Sequence, residues 1–302
     1  MLSTKHLIFL EVARQKSFTK ASQVLFLSQP AISKNIQSLE NDYKSKLFER
    51  QGLKIALTPT GKLLYERLLD VKNIQDQVDF EISFLKDKLL AKGMLRLGAS
   101  TTVALYILPR ILSAFHKQYP EVEINLLNRN SESVLEALLQ KNINLGIVEG
   151  PGNTKNVEYL PFLTDKVVPV CNSRSSLAHK KISSIKELPA IPVVLREKGS
   201  GTLAALSQSL EAHKIKISDL NVKVRLGGTE ALKNFLLEAD CLGFLPQRAI
   251  IKELAANELS EVQIQNLEIT RHFYFIQRKG ESINELNKAF IAFARTIYNQ
   301  QL

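Results

Sequence analysis

Four short stretches of this 302-residue chain concentrate hydroxyl side chains: Ser100-Thr101-Thr102, Asn130-Ser131-Glu132-Ser133, Gly199-Ser200-Gly201-Thr202 and Gly227-Gly228-Thr229. Each lies where a β-rich run gives way to a helical one. The first backbone N–H groups of a helix have no partner within it, and the helix dipole places partial positive charge there. Hydroxyls and N–H groups converging from several such junctions would hold a small carboxylate or an inorganic oxyanion. Taken singly, each junction reads first as an ordinary helix cap, because Ser and Thr are preferred at that position. Arg196, just ahead of the third junction, would add charge to a site or pair with Glu197 at the surface, and the surface pairing is the simpler expectation.

A second polar set, Gln29, Ser33, Lys34 and Gln37, spaces its members along one face of a helix. Gln reads adenine edges, Ser is permissive, and Lys takes a phosphate or a guanine, which is the chemistry of a DNA major groove. On an isolated helix these are also ordinary surface residues. No catalytic arrangement competes. The five histidines, His6, His116, His179, His213 and His272, are scattered, and neither HExxH nor GxSxG occurs. The GSGT run lacks the Lys and the spacing of a phosphate-binding loop. Neither an enzyme nor a cofactor is expected.

The elements that must carry these residues are legible. Apolar residues at Leu7, Ile8, Leu10, Val12 and Ala13 stripe a first helix. Ser17 caps a second, and Ser28 a third with Pro30 in its first turn. Only Leu25-Phe26-Leu27 separates the last two, the economy of a helix-turn-helix, with Ala21, Val24, Leu25, Ile32, Ile36 and Leu39 as its small core. LFERQGLKIALTPTG then alternates like a hairpin about Gln51-Gly52, and Thr58 stands ready to cap the next helix or to touch phosphate. From Thr60 that long helix keeps heptad spacing: Leu64, Val71, Val78 and Leu85 in one seam position, Leu68, Ile82 and Leu89 in the other, with Gln75 out of character. Such a seam predicts self-pairing into a dimer; packing on the protein's own body is the alternative. Beyond Gly93, MLRLGAS, VEINLLN, NLGIVEG, VVPVCN, IPVVLRE, VKVRLGG and HFYFIQR read as strands alternating with helices, which argues for an α/β domain with a largely parallel sheet. The chain is expected to cross between two lobes near Leu163-Thr164-Asp165 and Leu267-Glu268-Ile269.

Charge fits this division. The chain carries a formal +10, and residues 1 to 65 hold ten Lys and Arg against four Asp and Glu. An anionic partner is expected at that end. Glu11 and Arg14 interrupt the first apolar segment, so it reads as a helix rather than a signal peptide. No apolar run approaches the roughly 18 residues that a membrane span needs. The expected location is the cytoplasm. Cys171 and Cys241 lie in apolar surroundings, form no CxxC pair and read as core thiols.

ARQKSFTKASQVLFLSQPAISKNIQSLENDYKSKLFERQGLKIALTPTGKLLYE resembles the winged helix-turn-helix of LysR-type transcriptional regulators, following A-x-x-x-S-F-T-x-A-A, S-Q-P-A-x-S-x-x-I-x-x-L-E, L-F-x-R and L-T-x-x-G. The resemblance implies DNA contact by Gln29, Pro30, Ser33 and Lys34, with Gln37 beside them, and wing contact by Lys54. Ser22 replaces the usual second Ala, and Lys44 stands where the family commonly has Gly. Ser22 is expected to be tolerated if its hydroxyl bonds a backbone carbonyl, and Lys44 to alter how the recognition helix ends.

Carried along the whole chain, the resemblance implies a mainly α winged helix-turn-helix over 1–59, a dimerising linker helix over 60–92, and a two-lobed α/β effector domain over 93–302 like the type 2 periplasmic binding proteins. Lobe I would take about 93–163 and 269–302, and lobe II about 164–268. Ser100, Thr101, Thr102, Ser131, Gly199, Ser200, Thr202 and Thr229 would line the effector cleft. REKGSGT also resembles a variant seen in regulators of sulfur assimilation and carbon fixation. The implied partners are double-stranded DNA, a second copy of the chain with tetramers usual, a small effector and RNA polymerase. An enzyme on a similar two-lobed fold and a solute-binding transport protein are the alternatives. The first lacks an acid or base among the junctions, and the second does not explain the basic N-terminal part.

Overall fold

A computed structural model describes residues 2–51, 54–86, 91–150, 154–180, 182, 184–280 and 284–299. The chain divides into two compact units, Met1–Gly93 and Met94–Leu302.

In the first unit, α1 (Thr4–Gln15), α2 (Phe18–Leu25) and α3 (Gln29–Asp42) pack around Ile8, Phe9, Val12, Ala21, Ile32 and Leu39. Ser17 Oγ accepts from the Lys20 N–H and Ser28 Oγ from the Ala31 N–H, so both expected caps are made. Phe26 takes the left-handed conformation that turns the chain between α2 and α3. Val24 departs from the expected core and is exposed, because Phe18, Ala21 and Leu25 supply the face of α2 that packs inward. The wing pairs β1 (Phe48–Gln51) with β2 (Lys54–Leu57), Gln51 opposite Lys54, so the connection is one residue further on than Gln51-Gly52 and lies outside the described residues. Thr58 Oγ1 accepts from the Gly61 N–H at 3.0 Å and donates to the Lys46 carbonyl at 2.6 Å, capping α4 (Pro59–Lys86). Four helices and one hairpin make this unit mainly α among its described residues, whereas the second unit mixes helix and sheet.

Glu40 ties the wing to α3. Its buried carboxylate accepts from the Leu47 N–H at 2.9 Å and from Lys46 Nζ at 2.6 Å. Burial alone would raise the Glu40 pKa, but the bonds from Lys46, Leu47 and Phe48 win and hold it below the ordinary glutamate value.

Along α4 the heptad pattern divides. Leu68 is buried in the N-terminal core and Leu64 packs against it, so the first heptad does cover the protein's own body. From Val71 onward an exposed apolar row runs through Val71, Ile74, Val78, Ile82 and Leu85. Ile74, not Gln75, belongs to that row, since Gln75 turns inward and accepts from the Leu2 N–H. Leu89 lies outside the described residues.

In the second unit one sheet runs in the order β4-β3-β5-β11-β6-β9-β7-β8 among the described residues, with β10 beside β6. The strands are β3 (Gly93–Ser100), β4 (Val122–Arg129), β5 (Leu145–Glu149), β6 (Val157–Asn172), β7 (Pro192–Arg196), β8 (Asn221–Leu226), β9 (Leu242–Pro246), β10 (Leu259–Glu261) and β11 (Ile269–Arg278). The expectation of a largely parallel sheet is corrected. β3 with β5, and β7 with β8 and β9, are parallel, but β6 and β11 return through the middle and pair antiparallel with each other and with both halves. β6 is long enough to serve both halves, which is why the chain passes Thr164-Asp165 without a break.

Helices α5 (Leu108–Gln118), α6 (Ser131–Leu139), α7 (Gly201–Glu211), α8 (Thr229–Glu238), α9 (Ile251–Ala255) and α10 (Glu285–Asn299) complete the unit. In the second half, Val193 and Leu195 pack with Leu206 and Leu210 of α7, while Val194 packs with Leu232 and Leu236 of α8. Helices on both faces explain why IPVVL is apolar throughout.

Candidate functional site

On α3, Gln29, Pro30, Ser33, Lys34 and Gln37 are all exposed. A groove of about 390 Å³ between α3 and the wing is lined by Gln29, Ser33, Gln37, Arg50 and Ile55. The Lys54 side chain lies outside the described residues, although its backbone opens β2. Lys44 has φ of 49° and closes α3 with bonds from the Lys44 N–H to the Asn41 carbonyl and from the Ser45 N–H to the Glu40 carbonyl. That is the closure a Gly would make, so Lys44 leaves the helix end unaltered and carries some strain instead. Ser22 Oγ donates to the Thr19 carbonyl at 2.8 Å, which accommodates the other departure.

In the second unit the hydroxyl-rich junctions meet charged groups that were not singled out in the sequence. Arg271 sits on β11 opposite Asp165 of β6, at the crossing between the halves. Its guanidinium donates through Nε and Nη2 to Asp165 Oδ2 at 3.0 and 2.6 Å, through Nη1 to Glu149 Oε1 and Thr202 Oγ1 at 2.9 Å each, and through Nη2 to Thr102 Oγ1 at 3.0 Å. All five donors of the side chain are thereby used. Arg248 Nε donates to the other Asp165 oxygen at 2.6 Å. Ser131 donates to Glu149 Oε2. Thr102 and Ser131 come from one half of the sheet and Thr202 from the other, so one guanidinium joins the two.

The expected residues fall into distinct settings. Thr102, Ser131 and Thr202 belong to this cluster. Ser100 is buried, and its Oγ has no hydrogen-bond partner among the described residues. Thr101 is half-buried beside it. Ser200 precedes α7, and its side chain makes no cap bond to that helix among the described residues. Gly199 has φ of 83°, and its Cα faces the Glu132 side chain so closely that a Cβ would clash. The cap at the second junction is Asn130, which accepts from the Ser133 N–H.

Thr229 is brought to a second cation instead. Arg196 Nη1 donates to Thr229 Oγ1 at 2.8 Å, and Arg196 pairs with Glu197. Arg196 is buried, so the expected surface pairing has the right partner in the wrong place. Burial would raise the Glu197 pKa, but Arg196 and backbone donors hold it below the ordinary value. Nearby, the Tyr106 hydroxyl donates to Glu230, and Lys233 pairs with Glu230 at 3.0 Å and Glu253 at 2.9 Å. Burial first, then Glu230, pushes the Tyr106 phenol up. Burial likewise pushes the Cys171 thiol up to about 11 and raises Cys241, the behaviour of inert core thiols.

Arg271 had a signal in the sequence. In ITRHFYFIQR the residues Ile269, Arg271, Phe273 and Phe275 share the inward phase, and an Arg among them must find buried partners. Glu149 ends the buried run LGIVE in the same way.

Residues 5–62 match the family model for a bacterial regulatory helix-turn-helix protein of the lysR family, and residues 90–298 match that for a LysR substrate binding domain. The chain belongs to the LysR family. It is a LysR-type transcriptional regulator, of a DNA-binding family that is not one of enzymes. Among LysR relatives, the chain is 29% identical over 294 residues to the transcriptional regulator CysL of Bacillus subtilis, covering 97% of each. It is 31% identical over 284 residues to the regulator YeiE of Escherichia coli K12, covering 94% of each. The regulatory domain of Synechocystis CcmR, solved in complex with 2-PG, matches at 28% identity and a TM-score of 0.62 over 68% of this chain and 97% of that one. Full-length CbnR, complexed with its target DNA, shares the fold at 18% identity and a TM-score of 0.66, covering 98% and 99%. Among the described residues no helix is long and apolar enough to cross a membrane.

Proposed function

We propose that this LysR-type regulator is a cytoplasmic homo-oligomer whose affinity for operator DNA responds to a small anion held where the halves of its second unit meet. The anion is a carboxylate or an inorganic oxyanion, and no cofactor takes part. The observation that carries this reading is the Arg271 cluster: a buried guanidinium at the crossing strands, bonded to hydroxyls from both halves. An anion there would alter the contacts that join the halves. The 28% identity to the CcmR regulatory domain, solved with 2-PG, supports a small-molecule ligand.

On DNA, Gln29, Pro30, Ser33, Lys34 and Gln37 enter the major groove and Lys54 takes backbone phosphate. The division into 1–59, 60–92 and 93–302, with lobes at about 93–163 plus 269–302 and 164–268, belongs to the same reading. Ser100, Thr101, Thr102, Ser131, Gly199, Ser200, Thr202 and Thr229 surround or support the ligand. Self-pairing uses the exposed row on α4, tetramers arise from further contacts, and RNA polymerase is the partner downstream. Thermal-shift screening against a panel of small anions, followed by sequencing of genomic DNA retained by the protein, tests the proposal. No stabilising anion in the panel, or DNA retained with no common sequence, would refute it.

A further inference from the structure

The cavity beside the cluster has a volume of about 670 Å³, and its walls include Ser131, Glu149, Lys198, Ser200, Gly201 and Arg225. Thr102, Thr202 and Arg271 are not among its walls and are almost wholly buried. Glu149 stands between them and the cavity. One carboxylate oxygen meets Arg271 and the other Ser131. The same carboxylate rests so closely on Gly201, the first residue of α7, that any side chain at Gly201 would collide with it. This is the coordination that an anionic ligand would receive: a guanidinium, a hydroxyl and the start of a helix.

The charges agree. Arg271 and Arg248 face Asp165 and Glu149, a neutral set of four. Withdrawing Glu149 leaves two guanidiniums, the buried Arg271 and the partly exposed Arg248, on one carboxylate, an excess of one positive charge that an anion would compensate. Ser100 Oγ, at the end of β3 and two residues from Thr102, is a buried donor with no partner among the described residues.

We infer that Glu149 is a tethered stand-in for the effector: it occupies the anion seat on Arg271 and Ser131 until a soluble anion displaces it into the cavity, where Lys198 and Arg225 receive it. This deepens the proposed function and rests on its reading of the cleft. Glu149 thereby sets the effector threshold, because the ligand must outcompete a carboxylate of the same chain. It also favours ligands with a compact anionic group that fits where one carboxylate sat.

The test uses the full-length protein, with sodium sulfate and sodium acetate as probes at constant ionic strength, and reads the rise in melting temperature against anion concentration. Glu149→Gln keeps the shape and removes the competing charge, so its midpoint concentration should fall at least about tenfold below wild type. Glu149→Asp keeps the charge but, one methylene shorter, reaches Arg271 and Ser131 less well while leaving the seat intact, and should give an intermediate midpoint. It also serves if Glu149→Gln is too unstable to purify. Arg271→Gln should abolish the response. If the Glu149→Gln and Glu149→Asp midpoints equal wild type while Arg271→Gln abolishes binding, the anion site stands and the stand-in is overturned. If Arg271→Gln responds as wild type does, the anion sits elsewhere and both readings fail.

Discussion

Placing Asp at both Val71 and Val78 should separate the self-paired chains. Val71, Ile74, Val78 and Ile82 are 42%, 61%, 44% and 50% exposed, so about half of each side chain remains to be covered by a partner helix. Full burial of such a side chain contributes about 1.5 to 3 kcal/mol, so each half-exposed one adds on the order of 1 kcal/mol when paired. The double substitution removes two of these contributions per chain, four per dimer, or about 4 kcal/mol. Any carboxylate left in the seam adds a further desolvation cost. A loss of about 4 kcal/mol weakens association roughly a thousandfold. Sedimentation velocity at micromolar protein should therefore show monomer. Operator affinity should collapse with it, because a single half-site loses the effective concentration that linkage supplies. Both positions are exposed on α4, so circular dichroism should remain that of the wild type. A double variant that still sediments as a dimer and binds the operator would refute the placement of the seam.

Three further outcomes rest on individual contacts. Thr202→Val keeps the shape of the side chain and removes the acceptor for Arg271 Nη1, so anion binding measured by calorimetry should weaken by about 0.5 to 1.5 kcal/mol, with DNA binding in the absence of anion retained. Lys44→Gly relieves the left-handed strain at the end of α3 and should raise stability to chemical denaturation by about 0.5 to 1 kcal/mol; an unchanged or lower stability would show that Lys44 carries no net strain there. Glu40→Gln leaves the Leu47 N–H and Lys46 without their charged acceptor and should destabilise the N-terminal unit by about 1 to 3 kcal/mol. Because the folded Glu40 pKa lies below its unfolded value, its stabilisation is complete above the ordinary glutamate range and disappears as pH falls through the folded value. Wild type and Glu40→Gln should therefore converge in stability under acid, and parallel curves would exclude the anchoring role.

The sequence carried the N-terminal unit nearly whole, because its signals are local. Ser17 and Ser28 cap the helices they precede, and Pro30 sits in a first turn. Val24 went wrong because which face of an eight-residue helix is covered depends on neighbours that periodicity does not name. In the second unit most strands are visible, but not β9, β10 or the first half of β6, where Leu163-Thr164-Asp165 reads as a crossing between lobes. Direction was lost for the same reason: pairing between β6 and β11 joins residues more than a hundred positions apart. The hydroxyls of the site were legible as a class of residue at a class of junction. Their partners were not, since Arg271, Asp165 and Glu149 meet only when the two crossing strands are laid side by side.

A small anion at the Arg271 cluster should change how this regulator holds its operator. Footprinting of wild type and Ser200→Leu on a genomic operator, with and without the anion identified by thermal shift, reads that coupling itself. Both proteins should protect the operator, and the anion should change the extent of protection by wild type. Ser200→Leu, its cleft filled by the added side chain, should show the same protection at every anion concentration. An anion-dependent footprint in Ser200→Leu equal to that of wild type would contradict the placement of the effector in this cleft.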